Sequence, residues 1–142
     1  MAKEDLAQAR LALNEFMLAM NAWECRFFRA KREALDGGRD VKAIDHKARD
    51  SLVAIFGKWV CPDKANEGRL VDLRCGDPPT YDPASDVEDS TEMRGNKALF
   101  TVRQTGGLQS SFRFTLIGKD NEWKIEKKEL LNHREKWQRS IL

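Results

Sequence analysis

Leu6, Leu13, Met20 and Phe27 recur every seven residues, and Ala9, Phe16, Trp23 and Ala30 fill the offset positions between them. That spacing lays one apolar stripe along a helix from about Lys3 to Leu35, with Arg10, Asn14, Glu24 and Lys31 outside it. Four heptads would suit a coiled coil. However, the stripe is bulky and widens at Met17 and Phe28, which suits a helix lying on a sheet better than a thin two-helix seam. Asp36-Gly37-Gly38 then supplies a glycine stop.

A second helix is predicted from Asp40 to about Phe56, with Val41, Ile44, Ala48, Leu52 and Ile55 on its buried face and Asp40 capping its start. Trp59, Val60 and Cys61 follow as an apolar plug before Pro62. The period then drops from helical to two. Arg69 to Cys75 alternates as a strand would, and Gly76 to Pro83 is a proline-rich loop. The acidic run Ser85 to Glu92 reads as a poor edge strand, and Lys97 to Gln104 as a good one. Thr105-Gly106-Gly107 turns the chain into Phe112, Phe114 and Leu116, and a tight hairpin at Lys119 to Glu122 leads into Trp123 and Ile125. From Lys128 onward, Leu130, Arg134, Trp137 and Ile141 have the spacing of a short tail helix.

Helices followed by antiparallel strands make an α+β plan. A long striped helix covered by a bent sheet gives a cone with an open mouth, a place for ligands or partners. At 142 residues the chain is expected to be a single domain over 1–142, with a helical part at 3–60, a sheet at 69–128 and a tail helix at 129–142. Three cysteines (Cys25, Cys61, Cys75), an odd number without CxxC spacing, and two distant histidines (His46, His133) offer no ligand frame, so no metal site is expected. The cysteines read as small buried groups in a reduced, cytoplasmic protein. No stretch reaches the ~18 apolar residues of a membrane helix. The near balance of 25 basic and 23 acidic residues argues against a generic nucleic-acid coat.

The motifs from Cys75 to Leu131 resemble those of the nuclear-transport-factor-2-like (NTF2-like) fold, and more narrowly of bacterial immunity proteins built on it. They are Gly76-Asp77-Pro78-Pro79-Thr80-Tyr81-Asp82-Pro83, Lys97 to Thr105, Phe112-Arg113-Phe114-Thr115-Leu116, and Asn121 to Glu129. Phe114 and Glu126 stand where that pattern favours tyrosine and aspartate. The resemblance implies a small cytoplasmic protein that binds and neutralises a cognate toxin domain, without a cofactor or chemistry of its own. The alternatives are a small-molecule-binding or isomerase-like member of the superfamily, and a dimerisation module using the outer sheet face.

Charge marks the candidate surface. Pro62 to Glu92 holds nine acidic and three basic residues, whereas Met93 to Ile117 holds four basic and none acidic. Tyr81 is a rigid amphipathic anchor, surrounded by Asp82, Asp86, Glu88, Asp89 and Glu92. Such a surface would speed encounter with a basic toxin, for example a nuclease; a merely solvated loop explains any single residue about as well. Neither membrane nor direct nucleic-acid contact is expected, and the protein is read as a monomer or homodimer. Catalysis has little to work with. Asp45 and His46 are adjacent on a helix and point apart, His133 lies in a charged tail, and Asp72 is the one strand carboxylate able to enter the cone. Trp23 and Trp123 are expected in the core, Trp59 at the open end, and Trp137 against the tail helix.

Overall fold

The apolar stripe forms one helix, α1 (Ala2–Asp36), in the computed structural model, which describes residues 2–106 and 108–142. Met1, and Gly107 of the expected glycine turn, lie outside the described residues. Leu13, Phe16, Met20, Trp23 and Phe27 are all buried along α1, and each such side chain contributes about 1.5–3 kcal/mol relative to exposure. The chain leaves α1 through Gly38, whose φ of 67° suits a residue without Cβ, and the Arg39 amide donates to the Ala34 carbonyl at 2.7 Å. Helix α2 (Lys42–Trp59) packs beside α1, burying Ala48, Leu52 and Phe56. The indole N–H of Trp23 donates to the Ala48 carbonyl at 2.8 Å and ties the two helices together.

Five antiparallel strands follow in sequential order: β1 (Val87–Arg94), β2 (Lys97–Arg103), β3 (Ser111–Lys119), β4 (Glu122–Leu131) and β5 (Trp137–Ser140). The fold is α+β, with a curved sheet wrapped against the helices. Ala98, Phe100, Val102, Phe114, Leu116 and Ile125 face the core. No helix among the described residues is long and apolar enough to cross a membrane.

Two expected elements are corrected. Residues 69–75 are not a strand: α3 (Lys64–Val71) occupies the start of this segment, capped by the Asp63 carboxylate on the Ala65 amide. The Arg69 side chain turns inward and donates to the Asp72 and Arg74 carbonyls at 2.7 and 2.8 Å, so these groups need no neighbouring strand. The tail is not a helix. β4 continues to Leu131, and the Asn132 side chain accepts from the Arg134 and Lys136 amides, closing a hairpin into β5. Asp72, the candidate carboxylate for the cone, follows α3 on the surface and pairs with Arg74 at 2.6 Å.

Candidate functional site

The proline-rich segment between α3 and β1 has little regular structure, yet its backbone is held at many points. Buried Glu24 of α1 accepts from the Gly76 and Thr80 amides through its two oxygens, both at 3.0 Å. Asn21 donates to the Tyr81 carbonyl and Gln104 to the Thr80 carbonyl. Arg69, stacked 5.2 Å from the Trp23 ring centre, holds the segment's start. Burial pushes the Arg69 pKa down. Loops normally expose their polar backbone to water; much of this one is hydrogen-bonded by side chains from α1, α3 and the residue that follows β2.

Tyr81 is therefore not a surface anchor. It is 3% exposed and packs edge-on against Phe16 and tilted against Phe114. Its hydroxyl lies 3.2 Å from Nζ of Lys128, itself 2% exposed and flanked by the Phe112, Tyr81 and Phe114 rings. Desolvation pushes Lys128 down to about 7 and drives Tyr81 well above the ordinary tyrosine range.

The carboxylates of the acidic run divide over different faces. A bulge between Glu88 and Ser90 shifts the register. Glu88, opposite inward-facing Val102, meets Arg10 of α1 in a two-point pair at 3.0 Å, and accepts from Thr91 at 2.7 Å. The hydrogen bond from Arg10 lowers the Glu88 pKa. Asp89 turns to Arg103, at 3.0 and 3.2 Å, and Glu92 to Arg94 at 3.0 Å. Among the described residues, Asp82 and Asp86 have no cationic partner within ion-pair distance. They sit at the two ends of a turn in which the Ser85 and Asp86 amides donate to the Asp82 carbonyl, while an Asp86 oxygen accepts from the Asp82 amide at 3.2 Å. Burial raises the Asp86 pKa.

This turn separates two concavities. One, of about 420 Å³, lies between α1 and the end of the turn, with Ala7, Leu13, Met17 and Val102 on its walls and Asp86 on its rim. The other, of about 470 Å³, runs along Cys75–Thr80 and is also bordered by Asp82 and Asp86.

Other candidates lie elsewhere. His46 is exposed and faces Asp50 at 3.6 Å, and His133 is exposed in the β4–β5 turn. Cys25 is exposed rather than buried, and burial raises the thiol pKa of Cys61 and Cys75. Trp23 is in the core, while Trp123 and Trp59 are half-buried; Trp137 is a strand residue lying under Arg113 at 4.6 Å. No group of three or more potential metal ligands occurs among the described residues.

Residues 8–140 match the family model described as NTF2 fold immunity protein. The immunity protein RhsIA of Dickeya dadantii (strain 3937) is 32% identical over 134 residues, covering 94% of this chain and 95% of the relative. No solved structure gives a significant match. The match spans both the helices and the sheet, so on this evidence of sequence and fold together the chain belongs to the NTF2-fold immunity protein family.

Proposed function

We propose that this protein protects its cell by binding a cognate toxin in the cytoplasm, one copy to one copy, and covering the toxin's active or substrate site. It acts by occlusion, not by catalysis. The observation that carries the reading is the immobilised segment 76–86, whose backbone is fastened by Glu24, Asn21 and Gln104. A surface already ordered in the free protein loses less conformational entropy on binding.

Asp82 and Asp86 supply the free negative charge of this surface. Glu88, Asp89 and Glu92 form its flank, with their charge already matched by arginine. Tyr81 supports the surface from beneath. A basic toxin domain, such as a nuclease whose substrate site receives phosphate, is the partner class these charges complement.

Affinity purification of the N-terminally tagged protein from its source cells, with mass spectrometry of retained proteins, tests the reading. The expected result is an equimolar complex with a toxin whose activity disappears on mixing. A retained small molecule without a protein partner, or toxin activity unaffected by an equimolar amount of this protein, overturns it.

A further inference from the structure

We infer that the concavity between α1 and the 82–86 turn is a socket for one side-chain cluster of the toxin, an aliphatic side chain beside a lysine or arginine. The inference rests on the toxin-binding reading above and names the place and chemistry of its central contact.

The buried part of the lining is aliphatic, made by Leu13, Met17 and Val102, while Ala7, Arg10 and Asn14 line it from exposed positions on α1, in a space of about 420 Å³. A cavity of this size lies in the range that takes a ligand or a large side-chain group. The rim is negative. Of the two carboxylates on it, Glu88 is already clamped by Arg10 with both oxygens, whereas Asp86 has no cation within ion-pair distance among the described residues. Lys128, whose charge acts on Asp86 from the interior, directs its hydrogen bond to Tyr81.

Charge complementarity therefore selects the occupant. An apolar group alone would leave a partly desolvated carboxylate uncovered, and an acidic group would meet Asp86 with like charge. A cation reaching Asp86 while its neighbour fills the aliphatic space satisfies both parts. Central, well-packed contacts of this type carry most of the binding energy in protein interfaces. Asp82, at the other end of the same turn, extends the negative rim toward the second concavity.

The toxin retained in the purification above is titrated calorimetrically with the full-length wild type and two variants. Ala7→Trp fills the socket from an exposed helix position, and Asp86→Asn removes the charge while keeping the oxygen that accepts from the Asp82 amide. Both are expected to weaken binding at least tenfold with wild-type melting temperatures. Glu122→Gln, on the β3–β4 turn at the far end of the sheet, is expected to change Kd less than twofold. Unchanged affinity in either socket variant overturns the inference but leaves the toxin-binding reading standing. A wild type that binds no toxin overturns both. A homodimer of the wild type that Ala7→Trp dissociates overturns the inference in favour of a second copy as occupant.

Discussion

Nζ of Lys128 stands 3.2 Å from the Tyr81 hydroxyl oxygen in the interior, with the Phe112 ring centre 4.2 Å from the same nitrogen. Lys128 thus donates to the phenol in the interior, and when the amine is protonated the surrounding aromatic faces give its charge partial compensation.

This arrangement makes stability depend on pH in a definite direction. Lys128 titrates near 7 in the fold against 10.5 in the open chain, because burial and then Arg69 disfavour its charge; Glu24 and Asp86 oppose them. Between those values the unfolded chain holds the proton and the native one does not, so raising pH favours folding. The contribution rises by up to about 1.4 kcal/mol per pH unit above pH 7 and is flat below it. Urea midpoints at pH 6.5, 8 and 9.5 should show this component in the wild type and lose it in Lys128→Met. Identical pH profiles in the two proteins would refute it.

Glu24→Gln should loosen the proline-rich segment. The amide side chain retains only one acceptor oxygen for the two backbone N–H groups of Gly76 and Thr80. Leaving one of them without a partner should cost about 1–3 kcal/mol. Hydrogen exchange at Gly76 and Thr80 should accelerate more than exchange in β2 and β3. Equal acceleration everywhere would indicate only general destabilisation.

Gly118 faces Trp123 across the β3–β4 pair, and a Cβ there would lie 2.8 Å from the indole. Gly118→Ala should therefore cost about 1–3 kcal/mol by displacing the ring. A lower melting temperature with altered tryptophan fluorescence is expected; an unchanged melting curve would show that the ring moves freely.

The helical stripe and the alternation in β2 and β3 were readable because local periodicity and burial agree there. Lys128 was hidden by a single added residue. Thr115 pairs with Lys127 but Leu116 with Ile125, so Glu126 bulges, and Ile125 and Lys128 both face inward. Strict alternation from Ile125 would have turned Lys127 inward. In the sequence Glu24 lies outside the stripe, and no local pattern reveals that Gly76 and Thr80 return to it from more than fifty residues away. Tyr81 is hidden for a related reason: proline-rich composition indicates a loop but not which of its side chains points into the core. The acidic run was visible, whereas its arginine partners depend on strand register and the bulge at Asp89.

Arg103→Ala should strengthen association with a basic toxin. It uncovers Asp89, and the pair it breaks is solvent-exposed and contributes little to stability. Stopped-flow association at low salt should be a few-fold faster than in the wild type, with a steeper salt dependence. A slower rate would place Arg103 itself in the contact.

The two exposed arginine–carboxylate pairs beside β1 that do not involve α1, Asp89–Arg103 and Glu92–Arg94, have a consequence for how such a surface diverges. Losing an arginine adds a negative charge there, and losing its carboxylate adds a positive one, while the strand keeps its inward residues and its register. Related copies of this gene could thus come to prefer partners of opposite charge through single substitutions, each passing through a protein that still folds.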